Sequence, residues 1–227
     1  MSDTNRTKFG EFDFDPFIVD TLVWLESVRT YLEEMEAAIP QALGRAAQRI
    51  YEAAKDQNWR EDILQLETNT IESRFDTDLP KLLRYSAVVL LNTVIETQLF
   101  RLADHLREKN ELSLKVTDFK GGPFDQAKLY FNKVVNFKIS NDPAWGNLQD
   151  LAKLRHIIVH RGGRQGVDSN QQETVKKLSQ KYKGEISLNG SANNPDSEIE
   201  ISSAFCRKFL DRTEQFFDRL FLALNLK

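Results

Sequence analysis

The chain contains a single cysteine, Cys206, and no long apolar run. One thiol cannot build a disulfide framework or a multi-thiolate metal site within the chain. Its place between Phe205 and Phe209 in a helical pattern predicts a buried, unreactive side chain. No stretch approaches the roughly 18 apolar residues of a membrane span, and the acidic, polar start (MSDTNRTKFGEFDFDPF) lacks the features of a signal peptide. We therefore expect a cytoplasmic chain that does not bind membranes.

An excess of either charge is also missing. The chain has 31 basic and 34 acidic residues, well mixed, for a formal net charge of −3. No global field would draw it onto nucleic acid, so any polyanion must bind at a local patch. The three histidines, with His105 far from the other two, do not favour a zinc site. The segment GGRQG lacks the lysine and the serine or threonine of a phosphate-binding loop, so we predict neither a metal nor a cofactor.

Apolar residues recur every three or four positions through most of the chain, which predicts an all-α helical bundle. The first helix begins at Pro16, and Pro40 predicts a break or kink in it. A later helix is apolar on almost every side in its middle and is therefore the expected centre of the fold, with Asp78 as its N-cap and Pro80 in its first turn.

A small β-hairpin is predicted before the C-terminal helix. Ile186 and Leu188 alternate with polar residues, as do Ile199 and Ile201, about a turn-rich centre. The last helix starts near Ser202 and repeats apolar residues at helical spacing. The length fits one domain, so we predict a flexible N-terminus at residues 1–15 and a single helical domain at 16–227.

The segment LRHIIVHRGG, residues 154–163, sets an arginine and two histidines in an apolar run. At about 100° per residue, Arg155 projects from the middle of a broad apolar face formed by Leu148, Leu151, Leu154, Ile158 and Val159. His156 and His160 share an adjacent arc. Burial of an unpaired guanidinium costs several kcal/mol. Arg155 therefore needs a carboxylate partner, or its face is a cleft or a subunit interface.

Glu96 is the candidate partner for Arg155. It is the only carboxylate between Asp78 and Asp104, and it shares a helical face with Asn92 and Thr93. These three side chains form a polar notch in an otherwise apolar helix. A contact between Arg155 and Glu96 would account for both unusual positions.

Basic residues gather around the motif, and no acid lies between Asp150 and Asp168. Lys153, Arg161 and Arg164 could hold a phosphodiester, though so few charges predict weak, salt-dependent binding. The alternative is that the late arginines complement the negative end of the helix.

The two histidines allow a catalytic interpretation. An imidazole pKa near 6.5 suits proton transfer at neutral pH. RNA carries its own nucleophile, the 2′-hydroxyl, so cleavage needs only a base, an acid and a cation at the phosphate. A helical histidine can equally be structural.

The segment RHIIVH resembles the motif of the HEPN superfamily: an arginine, a polar residue, a few apolar residues and a histidine near a helix end. The resemblance extends over residues 78–227 as a HEPN-like core, with residues 16–77 as an N-terminal helical elaboration. It implies a metal-independent endoribonuclease, a toxin or antiphage effector, that acts on RNA through the composite cleft of a homodimer. An antitoxin or regulatory protein is implied as a further partner.

The resemblance also implies roles for individual residues. Arg155 would stabilise the scissile phosphate, His160 would act as general acid or base, His156 would assist, and Glu96 would orient. Gly162 stands where some family toxins have a modified tyrosine, so control by that route is not expected. Some family members are noncatalytic, which leaves a module that binds RNA or a protein partner as the alternative function.

Overall fold

The computed structural model describes residues 15–191 and 194–226, and within them the predicted all-α fold with a small hairpin before the last helix is confirmed. The predicted flexible segment lies outside the described residues except for Asp15. The Asp15 carboxylate accepts a hydrogen bond from the Phe17 amide at 2.9 Å and so caps the first helix. The elements are α1 (Pro16–Asp56), α2 (Glu61–Ser73), α3 (Leu79–Lys109), α4 (Pro123–Lys133), α5 (Trp145–Arg161), α6 (Ser169–Lys181), β1 (Ile186–Asn189), β2 (Glu198–Ile201) and α7 (Ser203–Ala223).

Helix α3 is the centre of the fold, as its apolar sequence predicts. Ile95, Leu99 and Leu102 are fully buried, and α1, α4, α5 and α7 all pack against this helix. Its 31 residues give it a length of about 46 Å at 1.5 Å per residue. A helix that long contacts most of the other elements, so its own side chains set where they lie. None of the helices among the described residues is long and apolar enough to cross a membrane.

Two predicted helix boundaries differ from the structure. Pro40 does not break α1, because the helix continues through it to Asp56. The lost hydrogen bond is tolerated because α1 packs against both α3 and α2. Asp78 is not an N-cap, since it has helical angles and its side chain makes no cap hydrogen bond. Instead α2 continues through a π-helical turn, Arg74–Asp78, directly into α3.

The start of α1 belongs to the same core as the later helices. Leu25, Val28 and Leu32 are essentially inaccessible and join the one large cluster of buried apolar side chains. Helix α2, by contrast, has no buried residue. The second half of α1 and α2 therefore form a hairpin of helices that adds little to the core.

The β-hairpin formed by β1 and β2 is extended by the segment that follows α5. β1 and β2 are antiparallel, with Ile186 opposite Ile201 and Leu188 opposite Ile199. Beside β2, the Ile199 amide donates to the Gly163 carbonyl and the Gln165 amide donates to the Ser197 carbonyl, each at 2.9 Å. The glycine-rich exit of α5 thus runs along β2 as an irregular third strand.

Helix α6 was not predicted, because its sequence is largely polar. The face of α6 that packs on the core has only two buried apolar residues, Val175 and Leu178, and these join Tyr182 in the core. The Asp168 carboxylate caps it by accepting hydrogen bonds from the Asn170 and Gln171 amides. This cap and the spacing of three or four residues are the signals that sequence analysis could have used.

The C-terminal helix α7 is confirmed, with the Ser202 hydroxyl accepting a hydrogen bond from the Phe205 amide at 3.1 Å. Cys206 is buried in it, and burial raises the pKa of its thiol to about 12. A thiol with such a pKa stays protonated at neutral pH and is unreactive, as predicted.

Gly163 is required by the close approach of α3. It has a positive φ of 85°, and a Cβ placed on it would lie 2.1 Å from the Tyr85 hydroxyl oxygen. Gly162 also has a positive φ, but a Cβ there would meet nothing within 4 Å. Substitution of these two glycines therefore separates two costs in stability: left-handed backbone strain, which both positions share, and steric overlap, which only Gly163 has.

We expect Gly162→Ala to lower the free energy of unfolding by about 1–2 kcal/mol through left-handed strain. Gly163→Ala should lower it by about 1–3 kcal/mol more, because Tyr85 must be displaced. Urea denaturation followed by circular dichroism measures both losses. Equal losses in the two variants would contradict the contact with Tyr85.

Candidate active site

The arginine-histidine motif occupies the last two turns of α5. The helix ends at Arg161, and Gly162 follows in the left-handed conformation, with φ of 61°. Its amide donates to the Ile158 carbonyl at 2.9 Å, which closes the helix. Arg155, His156 and His160 are therefore held on regular helix and not on a loop.

The buried face of α5 is rotated from the predicted one. Val159 was predicted on the apolar face but is 47% exposed, whereas Ile157 is 1% exposed. Arg155 is half-buried at the edge of the buried arc and does not project from its middle. The prediction assigned the arc from apolar spacing alone. Its members Leu148, Leu151, Leu154 and Ile158 are buried as predicted, and the arc extends past Leu154 to Ile157 in place of Val159.

The predicted contact between Arg155 and Glu96 is not present. Neither side chain forms an ion pair or a hydrogen bond with any described residue. The Arg155 Nε atom is shielded from solvent and has no hydrogen-bond partner in the described part of the chain. Glu96 is half-buried on α3. Since both side chains lie at the edge of the core, their charged ends reach water and do not need each other.

Asn92 is a third polar group without a partner. It is fully buried on α3, and neither its amide nitrogen nor its amide oxygen bonds to a described residue. Tyr85 lies against Gly163, while Leu91 and Leu151 line one small internal cavity, so α3 and α5 run in opposite directions. A buried amide such as that of Asn92 normally has a partner.

The two histidines face solvent side by side. His156 and His160 are exposed, and their ring centroids are 4.5 Å apart with a tilt of 45°. Desolvation lowers the pKa of His156, and the nearby positive charges of His160, Arg161 and Arg155 lower it further. At neutral pH His156 is therefore held in its neutral form, which can accept a proton.

The basic residues around the motif are partly neutralised by acids that the linear sequence did not suggest. Lys153 lies 2.8 Å from Asp150, a buried carboxylate that also takes Lys181 at 2.6 Å. Arg164 points toward β2, within 4.0 Å of Asp196 and Glu198. The predicted RNA-binding patch thus carries less free charge than its sequence indicates.

Arg161 is held against α6. Its Nη1 atom donates to the Gln165 carbonyl oxygen and to Gln171 Oε1, and its Nε atom is buried without a hydrogen bond to a described residue. Desolvation by the surrounding protein lowers the pKa of this guanidinium, an effect that the negative charge of Asp168 opposes. Arg161 therefore places a fixed positive charge where α5 and α6 meet.

A surface groove of about 400 Å³ runs between α5 and α6, beside the histidine pair. Sequence analysis missed the α6 side of it, because α6 itself was not predicted. Its lining residues on α5 are Ala152, Lys153, His156, Ile157 and Arg161, and on α6 they are Asn170, Gln171 and Thr174.

His105 lies apart from the motif. Its ring stacks on Phe17 with centroids 5.8 Å apart, and its Nε2 atom is 2.9 Å from the Asp15 carboxylate. It therefore serves the packing of α1 on α3. Across residues 15–191 and 194–226, no three side chains of histidine, cysteine, aspartate or glutamate are grouped as ligands for a metal ion.

Comparisons with protein-family models, with curated proteins and with solved structures give no match to this chain. The resemblance to HEPN proteins therefore rests on the motif and its helical setting, and it stays a prediction.

The unpartnered Arg155 predicts that its replacement costs little stability. Arg155→Ala should change the free energy of unfolding by less than about 1 kcal/mol, as expected for a side chain without polar contacts. Arg29 is the matched control, since its guanidinium contacts Asp211 at 2.9 Å and Glu214 at 2.8 Å. Arg29→Ala should cost about 1–3 kcal/mol.

Urea denaturation of both variants beside the wild type makes the comparison. A loss of about 3 kcal/mol or more in Arg155→Ala would indicate a broken buried ion pair and a structural role for this arginine.

Proposed function

We propose that the chain is a metal-independent endoribonuclease of the HEPN type that cleaves RNA at the end of α5. The observation that carries this proposal is the combination, on one helix end, of an arginine without a polar partner among the described residues and two solvent-facing histidines whose ring centroids are 4.5 Å apart. A structural arginine would have an acid beside it. A structural histidine pair would be buried or hydrogen-bonded.

The residue types fit cleavage by the RNA 2′-hydroxyl. One imidazole accepts the proton of the 2′-hydroxyl, whose oxygen attacks the adjacent phosphorus and displaces the 5′-oxygen of the next nucleotide. A protonated imidazole donates a proton to that leaving oxygen. The products are a 2′,3′-cyclic phosphate and a 5′-hydroxyl. The Arg155 guanidinium stabilises the extra negative charge on the phosphorane.

The proposal assigns the role of base to His156 and the role of acid to His160. His156 has its pKa lowered, which favours a neutral ring and the role of base. His160 then supplies the proton to the leaving group.

A second copy of the chain completes the site in this proposal. Glu96 and Arg155 lie on two contacting helices and are partly exposed, and their side chains have no hydrogen-bond partner among the described residues. Val159, one turn from Arg155, leaves 47% of its surface in solvent. A homodimer that pairs these surfaces would supply partners and place two motifs in one cleft.

The biological setting of the proposal comes from the resemblance to HEPN proteins. The resemblance to HEPN proteins favours a toxin or an antiphage effector that works in the cytoplasm and is controlled by an antitoxin or another regulatory protein. Gly162 follows the motif histidine by two positions, so no tyrosine is available there for modification.

A noncatalytic module is the second candidate, and the ion pairs of Lys153 and Arg164 favour it. With these charges partly neutralised, the phosphate affinity of a single copy is low. The same surface would then bind RNA or a protein partner without cleaving it.

RNA cleavage in excess EDTA tests the proposal. We expect the wild type to cut total RNA or tRNA and to leave 5′-hydroxyl ends, which accept label from polynucleotide kinase without prior phosphatase treatment. His160→Ala should lose about 100-fold or more in rate, because general acid–base catalysis contributes that much. Arg155→Ala should lose a similar factor.

Two control variants each remove one positive charge, as Arg155→Ala does, but leave the motif intact. Arg49→Ala removes an exposed arginine of α1, and Lys176→Ala removes an exposed lysine of α6. Both should cleave at the wild-type rate. If the wild type leaves every RNA intact, or if His160→Ala cleaves as fast as the wild type, the nuclease proposal is wrong.

A further inference from the structure

We infer that the groove between α5 and α6 binds one unpaired nucleotide of a single-stranded RNA, next to the phosphate held at the motif. This inference deepens the proposed function, and it rests on RNA being the ligand of the motif surface. The groove's position carries it, because His156 both lines the groove and contacts the ring of His160. A strand bound at the histidines therefore continues into the groove.

The size of the groove suits a single nucleotide. Its volume is about 400 Å³, which is small beside the pockets that hold larger ligands. An A-form duplex keeps its bases paired and stacked, so it has no single base to offer to a groove of this volume. Unpaired bases can turn away from their neighbours and insert singly.

The lining chemistry suits the parts of a nucleotide. The His156 ring and the apolar edge of Ile157 provide a surface on which a base can stack. The Asn170 amide has both a donor and an acceptor, and its side chain makes no hydrogen bond to a described residue. An asparagine amide of this kind can pair with the edge of a base.

The charges of the groove suit a phosphate at its rim. Arg161 is fixed there by Gln165 and Gln171. Lys153 stands on the same side, and its partner Asp150 has a second cation in Lys181 at 2.6 Å and a hydrogen bond from Tyr182. Lys153 can therefore turn to a phosphate without leaving Asp150 unpaired.

The test measures binding separately from cleavage. All variants carry His160→Ala and are kept in EDTA, so that RNA stays intact. The probes are fluorescein-labelled oligo(U), oligo(A) and oligo(C) RNAs of about eight nucleotides, beside an RNA duplex of similar length. Fluorescence anisotropy gives the dissociation constant of each at several salt concentrations.

Two groove variants and one control variant are compared. Asn170→Ala should weaken binding of the preferred oligonucleotide about tenfold and reduce the preference among the three bases, without changing the salt dependence. Lys153→Ala should weaken all three equally and reduce the slope of log K against log salt by about 1. Lys176→Ala, on α6 outside the groove, should bind as the parent does.

The outcomes separate this inference from the nuclease proposal. Weakened binding in both groove variants supports the site, even if the wild type proves unable to cleave RNA. Binding by Asn170→Ala and Lys153→Ala that matches Lys176→Ala overturns it, as does a duplex that binds as tightly as the single strands. Failure of the parent to bind any of the RNAs also overturns it, whatever the cleavage assay shows.

Discussion

The contact between Tyr85 and Gly163 fixes the end of α5, and the candidate site depends on it. The Tyr85 ring occupies the space that a side chain at position 163 would need, and its hydroxyl donates to the Ile199 carbonyl oxygen of β2. One aromatic side chain on the central helix thus holds both the exit of α5 and the hairpin. The motif lies in the two turns before this point, and α6 begins only six residues after it. The orientation of the histidines and the position of the α5–α6 groove follow from the same contact.

Near this fixed point several buried polar atoms have no hydrogen-bond partner among the described residues. They are the side-chain amide of Asn92 and the Nε atoms of Arg155 and Arg161. Arg29 on α1 is used differently, because its guanidinium lies between two carboxylates. Unpaired buried polar groups cost stability, and each one in a native structure calls for an explanation, such as a catalytic role or a bound water or ion. A site of binding or catalysis at the end of α5 would explain Arg155 and Arg161.

Much of the fold could be predicted from the sequence, because the apolar spacing of α3 and α7 leaves few alternatives. The ends of the helices were harder to predict, because Pro40 and Asp78 have strong local preferences that packing overrides. The site was predicted in part. Arg155, His156 and His160 could be selected from residue chemistry, but the rotation of α5 depends on its neighbours and was assigned wrongly. The pairing of Lys181 with Asp150, and the α6 side of the groove, required the tertiary structure.

In the proposed mechanism the RNA 2′-hydroxyl is the nucleophile, and the side chains of α5 move its proton. The most direct measurement uses an oligonucleotide that the wild-type protein cuts in EDTA, and a second copy with one 2′-deoxy substitution at the nucleotide before the cut. The account predicts that this substitution alone abolishes cleavage at that position while the oligonucleotide still binds. Cleavage of the 2′-deoxy substrate at the same bond would contradict the account.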